Sequence, residues 1–497
     1  MDWAAGAAAA REAADWGRDP GGAVVLFDRD GLRATAASGV ESLATMTPFG
    51  IDSIVRCASV TKHVFASFVL AHPGVISLDD PLSRHLSQLG PRTGAVTVGR
   101  ALDMSGGLPD TRECLTLIGQ SIFTQTLAPD LLAFHAELDR LNYEPGTEVH
   151  YSNGGYRLVE EAMRAHGLLF DDFLRDELRE GMGLPLRASE MWTDPVPGLC
   201  DGYWHDGQGW KIGLQGMHLS AAGSLSGSAR ALAEWGRALL RDEGRFAGRL
   251  AALTARRHLK DGRETGYGLG MRRHPVGGRE LVGHGGSQPG FRSYLLLDPE
   301  SGAGVAVVAN RDDVNSSGLA SGVMAALLGE TLPEAGCGDL VPGLYAAPGG
   351  GDWIEVMVAS VSRLDDEVAV YPQPGGGIDS LSPTSSLRLR MEGADVMGEI
   401  GHAPARFHPV APGPMPADLA GIWRSPFGSW LEIRDGAVIM GAGPVRRAMP
   451  LQSLGQGSFL FTLTDGPWRR RICLHRTGGD GFDLILSRAR VIGYRRA

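Results

Sequence analysis

The segment CASVTKHVFASFVL, residues 57–70, decides the fold of this 497-residue chain. It places Ser59 three residues before Lys62, and an apolar run with helical spacing follows. Residues three apart share one face of a helix, so the hydroxyl and the amine can touch. At a helix start, free backbone N–H groups and the positive end of the helix dipole favour a developing anion at Ser59. The segment therefore predicts a serine nucleophile activated by a lysine.

The composition supports this interpretation. The chain has 47 lysines plus arginines, but lysine occurs only at positions 62, 211 and 260. Arginine stays protonated, whereas a buried lysine can lose its proton and act as a base. A Ser-x-x-Lys motif by itself leaves a structural alternative open, namely a surface lysine on a core helix.

Length and charge bound the class of protein. A chain of 497 residues with 43% hydrophobic residues is expected to form two or three domains. The net charge of −10 and the absence of a basic run argue against nucleic acid as a partner.

The five scattered cysteines have neither metal-ligand nor disulfide spacing. The alanine-rich N-terminus lacks the basic start and the unbroken apolar core of a signal peptide, and no uncharged apolar stretch reaches membrane-spanning length. We therefore expect a cytoplasmic protein with no membrane association.

The hydrophobic pattern predicts an α+β fold for the first two thirds of the chain. A hairpin is expected over 22–39, and strands over 280–286, 291–298 and 305–310. Helices are expected from residue 81 onward with Asp80 as N-cap and Pro81 at the first helical position, and over 97–104, 124–141, 156–165, 225–241 and 319–328. Strands at both ends with helices between them indicate an antiparallel sheet that the two ends of the chain form and helices cover.

From about residue 340 strand-length runs dominate, and they contain an internal repeat. The motif GLYAAP at 343–348 resembles GIWRSP at 421–426, and WIEV at 353–356 matches WLEI at 430–433. A period of about 78 residues fits a duplicated small β domain. The proline-rich stretch 409–416 is expected to separate the copies. The predicted domains are therefore 1–335, 340–412 and 417–497.

A second candidate group is Tyr151-Ser152-Asn153, which lies on a predicted turn. A tyrosine hydroxyl near Ser59 and Lys62 could take the nucleophile's proton and give it to the leaving group. A cationic lysine beside it would lower the pKa of the phenol. The Asn153 amide could hold a substrate carbonyl. A turn-capping tyrosine and asparagine form the structural alternative.

The third candidate group is His284-Gly285-Gly286 at the end of an apolar strand. Two glycines would let a substrate backbone approach the strand edge. The N–H of Ser287 could join that of Ser59 as an oxyanion hole. The alternative is a structural histidine, since His205 also stands two residues before a glycine.

Together the three motifs resemble those of the penicillin-recognising serine hydrolases in order and spacing. The flanking segments agree as well, and they are LDDP at 78–81, SGGL at 105–108 and EPG at 144–146. Within that superfamily the full length is most similar to the bacterial D-aminopeptidases. The resemblance implies a beta-lactamase/penicillin-binding-protein-like catalytic domain followed by two small, lipocalin-like antiparallel β-barrels.

The resemblance also implies roles for the candidate residues. Ser59 would be the nucleophile, Lys62 its activator and Tyr151 the proton relay, while Asn153 and His284 would line the site. Relatives that bind a substrate carboxylate commonly carry a lysine at the histidine position, and a neutral histidine holds a carboxylate less strongly. This favours substrates that are recognised from their amino end. We also expect an enzyme that uses no cofactor and no metal.

One departure concerns the last barrel. In the D-aminopeptidases a long loop of this barrel enters the catalytic cleft, and the corresponding stretch here, residues 462–468, is several residues shorter. The resemblance therefore does not predict whether this chain excludes N-acylated or longer substrates.

The expected function is release of N-terminal D-amino acids from small peptides or amino acid amides through an acyl-enzyme. The alternatives are a peptide-cyclising thioesterase of the same superfamily, a beta-lactamase-like esterase or carboxypeptidase, and a non-enzymatic binding protein. A homodimer is the oligomeric state we consider.

Overall fold

A computed structural model describes residues 1–411, 413, 416–478 and 480–497 of the chain. The helices are α1 (Trp3–Ala13), α2 (Thr61–Leu70), α3 (Pro91–Gly94), α4 (Val98–Leu102), α5 (Thr111–Leu117), α6 (Ala128–Leu138), α7 (Gly154–Ala165), α8 (Phe170–Phe173), α9 (Ala229–Arg241), α10 (Arg249–Leu253) and α11 (Ser316–Leu328). Short 3₁₀ turns lie at Ala58–Val60, Leu82–Arg84, Gly244–Phe246, Ala417–Leu419 and Gly443–Val445, and a π-helical turn lies at Leu174–Glu180.

The strands fall into three successive groups. The first group is β1 (Gly22–Asp28), β2 (Leu32–Ser38), β3 (Val55–Arg56), β4 (Arg187–Ala188), β5 (Tyr203–His205), β6 (Trp210–Ile212), β7 (Leu225–Gly227), β8 (Arg272–Val276), β9 (Arg279–Gln288), β10 (Phe291–Asp298) and β11 (Ala303–Ala309). The second is β12 (Gly343–Ala346), β13 (Trp353–Val356), β14 (Ser360–Arg363), β15 (Asp366–Ala369), β16 (Tyr371–Pro372), β17 (Ile378–Asp379), β18 (Leu387–Glu392), β19 (Asp395–Ile400) and β20 (Ala403–Pro409). The third is β21 (Gly421–Arg424), β22 (Trp430–Arg434), β23 (Ala437–Met440), β24 (Arg447–Pro450), β25 (Gln452–Gly455), β26 (Ser458–Asp465), β27 (Trp468–Arg476), β28 (Gly481–Leu486) and β29 (Ala489–Arg496).

The main sheet joins the two ends of the predicted catalytic domain, residues 1–335, which is called the catalytic region below. Its order is β2-β1-β11-β10-β9-β8, with antiparallel pairing throughout. Helices α1 and α11 cover one face of the sheet, and α2 and α9 pack against the other. Strands β1 and β11 are buried on both faces, which explains why they read as near-continuous apolar runs rather than alternating ones.

Two predicted helical stretches differ in the structure. Only a single 3₁₀ turn forms after Pro81, because the Asp80 carboxylate accepts hydrogen bonds from the Ser77 amide (2.8 Å) and the His85 ring (3.1 Å) instead of capping a helix. Residues 225–227 form β7, which pairs with β3 beside the nucleophile segment, and α9 begins after it with Ser228 as N-cap. Tertiary pairing therefore overrides the local helical pattern at Leu225.

The two C-terminal groups of strands form two nearly closed antiparallel barrels with identical strand order. The first runs β15-β14-β13-β12-β20-β19-β18-β17-β16, and the second runs β24-β23-β22-β21-β29-β28-β27-β26-β25. The repeated motifs at 343 and 421 begin the equivalent strands β12 and β21. This agreement supports duplication. The predicted boundary at 409–416 lies partly outside the described residues, and the domain limits stay predictions.

The second barrel docks on the catalytic region through the hairpin that joins β26 and β27. The carboxylate of Asp465 accepts hydrogen bonds from the Ile122 amide (2.6 Å) and the Ser121 hydroxyl (3.1 Å). The indole of Trp468 donates to the Thr116 hydroxyl (3.1 Å).

Within the described residues, no helix is long and apolar enough to cross a lipid bilayer.

Replacing Asp465 with alanine should weaken this docking. The change leaves the buried amide of Ile122 without its acceptor, which costs about 1–3 kcal/mol. We expect a lower midpoint of thermal unfolding, measured by calorimetry. The control is Glu392→Ala, which removes an exposed carboxylate from the first barrel. Equal midpoints for the two variants would contradict the docking role.

Candidate active site

The nucleophile candidate Ser59 lies in a 3₁₀ turn directly before α2, which is buried in all but its last residue. The preceding residue, Ala58, is buried and has a φ of 48°, in the left-handed region that an alanine rarely adopts. Such strain persists only where packing enforces it. The cause is close packing with β9, since a Cβ at Gly286 would come within 2.1 Å of the Cys57 carbonyl oxygen. The turn thereby presents a partly exposed Ser59 on a rigid base.

Lys62 lies beneath Ser59, and its side chain is completely buried. Its ammonium nitrogen lies 3.0 Å from the Ser59 hydroxyl oxygen, 2.8 Å from the Asn153 side-chain oxygen and 2.7 Å from the Ala222 carbonyl oxygen. Burial lowers the pKa of Lys62 below its ordinary value, and the charge of Tyr151 offsets this only in part. Three acceptors match the three N–H bonds of an ammonium group.

Tyr151 lies on the opposite side of the nucleophile. Its hydroxyl oxygen is 2.7 Å from that of Ser59, and Lys62 lies 4.9 Å from the centre of its ring. Burial acts to raise the pKa of Tyr151, but the positive charges of Lys62 and Arg272 outweigh it, so the pKa falls below its ordinary value. A larger fraction of Tyr151 is therefore ionised near neutral pH than of an exposed tyrosine, and this phenolate can accept a proton.

Asn153 positions Lys62 and is itself positioned by Asp110. Its side-chain oxygen accepts from Lys62, and its amide group donates to the Asp110 carboxylate at 2.7 Å. The Asn153 backbone N–H donates to the same carboxylate oxygen at 3.0 Å. One amide hydrogen of Asn153 is therefore committed to Asp110. The sequence analysis did not identify Asp110 as a site residue, because the only sequence signal of Asp110 is its N-cap position before α5.

His284 lies behind the cleft rather than in it. Its ring is fully buried, with Nδ1 2.6 Å from the Gly285 carbonyl oxygen and Nε2 3.0 Å from the Tyr267 hydroxyl. A carbonyl can only accept, so Nδ1 carries the proton and Nε2 accepts from Tyr267. Burial, with the nearby charge of Arg272, lowers the pKa of His284 well below its ordinary value and keeps the ring neutral.

The remaining predicted residues line a cavity of about 460 Å³ that Ser59, Tyr151 and Asn153 also line. Ser287 is exposed at its edge, and Gly285 and Gly286 form part of its wall. Internal packing also requires these glycines, because a Cβ at Gly285 would lie 2.7 Å from the Tyr294 ring.

Both barrels contribute to the site in a way that the sequence did not reveal. In the first barrel, the Thr384 carbonyl accepts a hydrogen bond from the backbone N–H of Tyr151 (3.3 Å). The second barrel places the Arg488 guanidinium 4.7 Å from the centre of the Tyr151 ring. Arg488 pairs with Asp366 of the first barrel at 3.1 Å. The proton-relay candidate is therefore held by three parts of the chain at once.

Comparison with known proteins agrees with this geometry. A family model described as Beta-lactamase matches residues 7–327, which is more than half of the chain. The chain belongs to the beta-lactamase family. The predicted relation to the penicillin-recognising serine hydrolases is thereby confirmed.

Curated relatives extend the likeness over the barrels. A D-aminopeptidase of Brucella anthropi is 24% identical over 492 residues, which cover 90% of this chain and 92% of that protein. A D-aminopeptidase of Brucella ovis is 25% identical over 357 residues, covering 70% and 66%. The predicted resemblance to bacterial D-aminopeptidases is confirmed at this level.

Solved structures share the fold. A penicillin-binding protein homologue from Pyrococcus abyssi, described as octameric, has a TM-score of 0.56 at 17% identity, with 96% of each chain covered. A D-amino acid amidase from Ochrobactrum anthropi SV3 has a TM-score of 0.53 at 22% identity, covering 66% of this chain and 99% of that one. These likenesses confirm the fold predicted for the catalytic region.

Replacing Arg272 with glutamine should raise the pKa of Tyr151, because it removes one of the two cations that lower it. Ultraviolet difference titration measures tyrosinate formation, and Tyr151→Phe identifies the transition that belongs to this residue. The control is Arg273→Gln on the same strand, whose guanidinium pairs with Glu264 at 3.3 Å instead. An unmoved transition in Arg272→Gln would contradict the electrostatic account.

Proposed function

We propose that this protein is a D-stereospecific serine hydrolase that releases N-terminal D-amino acids from small peptides and amides through an acyl-enzyme. The observation that carries the chemistry is the position of Ser59, with its hydroxyl oxygen 3.0 Å from Lys62 and 2.7 Å from Tyr151. The substrate class comes from the sequence relatives, which are named D-aminopeptidases.

Tyr151, rather than Lys62, is the better candidate for the base. An ammonium at Lys62 has all three N–H bonds accepted, and its charge favours the phenolate form of Tyr151. Lys62 thus activates Ser59 by stabilising the ionised tyrosine and by donating to the serine oxygen. This refines the expectation of an unprotonated amine as the direct base.

Acylation proceeds in two steps on these residues. The Tyr151 phenolate takes the proton of Ser59 as the serine oxygen attacks the amide carbon, and the carbonyl oxygen becomes an oxyanion. The backbone N–H groups of Ser59 and Ser287 are the proposed donors to it. The carbon–nitrogen bond then breaks, Tyr151 gives its proton to the leaving amine, and an ester remains on Ser59.

Deacylation repeats the same sequence with water. Tyr151 takes a proton from the water while the water oxygen attacks the ester. Tyr151 then returns this proton to the Ser59 oxygen as the D-amino acid leaves. A peptide-cyclising enzyme would admit an amine at this step instead. The relatives named D-aminopeptidases favour the hydrolase.

Two further expectations belong to this proposal. The five cysteines are free thiols, which supports a cytoplasmic location. The homodimer stays a prediction. Light scattering during size-exclusion chromatography would test it by measuring the molar mass of the protein in solution.

The proposal is tested with D-alanine p-nitroanilide and its L-isomer. We expect turnover of the D-isomer to exceed that of the L-isomer by about a hundredfold or more, since one enantiomer alone can place both its amine and its carbonyl. Ser59→Ala should abolish turnover. Tyr151→Phe should lower kcat by about 10²- to 10⁴-fold, the range for loss of an acid–base group.

The matched control is Tyr371→Phe, which removes a hydroxyl from the first barrel and should leave kcat unchanged. Equal turnover of both enantiomers, or turnover that survives in Ser59→Ala, would overturn the proposal.

A further inference from the structure

The cavity beside Ser59 has far more positive than negative side chains on its walls. The positive side chains are Arg112, Arg157, Arg272, Arg292, Arg470 and Arg488, and the negative ones are Asp110 and Glu113. This balance favours a substrate that carries a negatively charged group besides its reacting amide.

Both carboxylates already have internal partners. Asp110 accepts from the Glu113 amide (3.1 Å) and from both nitrogens of Asn153. Glu113 accepts from the backbone N–H of Arg488 at 2.7 Å. Burial raises the pKa of Glu113 to about 7, so part of the population is uncharged near neutral pH. Both carboxylates are therefore engaged within the protein and offset little of the positive charge on the cavity walls.

Most of the six arginines lack a carboxylate partner. Among the described residues, only Arg488 has one within 4.0 Å, namely Asp366. Arg112 and Arg292 donate to backbone carbonyls, and Arg157 contacts His218. The two arginines that remain least engaged are Arg470 and Arg272.

Arg470 is held in place by the docked hairpin of the second barrel. Its guanidinium lies 3.8 Å from the centre of the Trp468 ring, and one nitrogen donates to the Arg469 carbonyl at 2.9 Å. Trp468 is itself fixed by Thr116 of the catalytic region. The other guanidinium N–H groups of Arg470 have no hydrogen-bond acceptor in the part of the chain that the structure describes. A stacked guanidinium of this kind is pre-organised for bidentate binding of a carboxylate.

Arg272 adds positive charge on the wall near the reacting groups. Its guanidinium lies 5.4 Å from the centre of the Tyr151 ring. Its Nε is buried and has no hydrogen-bond partner among the residues described. Because no acceptor among the described residues offsets this donor, the guanidinium of Arg272 keeps its positive potential at the cavity wall.

We infer that the preferred substrates carry a carboxylate, which Arg470 binds from the second barrel while Arg272 contributes positive potential beside Tyr151. The inference rests on the proposed function and specifies its substrate class. The carboxylate has two sources, the side chain of an acidic D-residue at the cleaved bond or the C-terminal carboxylate of a short D-peptide.

Two pairs of substrates separate these sources. D-glutamic acid α-amide against D-glutamine α-amide tests the side chain, and D-Ala-D-Ala against its C-terminal amide tests the terminus. For at least one pair we expect the acid to have a higher kcat/KM by about tenfold, the range of one charge-assisted contact. The difference should lie mainly in KM.

Arg470→Gln should bring that ratio close to one, because the substitution removes the positive charge that the substrate carboxylate would contact. Arg470→Lys should restore part of the preference. The matched control is Arg469→Gln, which changes the exposed neighbour on the same strand and should keep the full ratio.

A ratio at or below one in both pairs, or a preference that persists in Arg470→Gln, would overturn the inference. Absence of turnover for all four compounds would count against the proposed function. In that case calorimetric titration of the same pairs into Ser59→Ala, with and without Arg470→Gln, decides the inference separately. Tighter binding of the acid that Arg470→Gln removes supports it, and equal binding overturns it.

Discussion

A buried lysine ammonium that contacts the serine hydroxyl is the interaction on which this structure depends. Lys62 has its three acceptors on three separate segments, at Ser59, Asn153 and Ala222. Because the side chain is fully buried, its charge acts strongly on its neighbours in a low-dielectric surrounding. The lowered pKa of Tyr151 follows from this charge together with that of Arg272. Removing any of these acceptors would leave a buried charge poorly satisfied.

The barrels complete the site as well as extend the chain. The first barrel holds the Tyr151 segment through the Thr384 and Gly401 carbonyls, which accept from Tyr151 and Val149. The second barrel holds the other side through the Arg488 carbonyl, which accepts from the Asp110 amide at 2.8 Å. The duplicated topology therefore serves two different contacts, since each barrel presents its own loops to the same cleft.

Sequence patterns predicted much of this arrangement. The Ser59 helix, the sheet built by both ends of the chain and the duplicated strands follow from hydrophobic periodicity and repeated motifs, which are local properties. The three motifs predicted groups that the structure brings together, apart from His284, which lies behind the cleft. The roles of Asp110, Arg272, Arg470 and Arg488 depend on tertiary contacts between distant segments. An arginine that lies against the proton-relay candidate Tyr151 and an arginine on any surface strand look alike in a single sequence. The short turn after Pro81 was missed for the same reason, because the partners of Asp80 are set by the folded chain.

The central claim is that Ser59 becomes acylated by D-residues because Lys62 and Tyr151 activate it. The most direct measurement is intact-mass and peptide-mapping mass spectrometry after brief exposure to D- and L-phenylalanine methyl esters. The account predicts a phenylalanyl adduct on the peptide that contains Ser59, formed with the D-ester and absent in Ser59→Ala. An adduct on another residue, or equal labelling by both enantiomers, would contradict it.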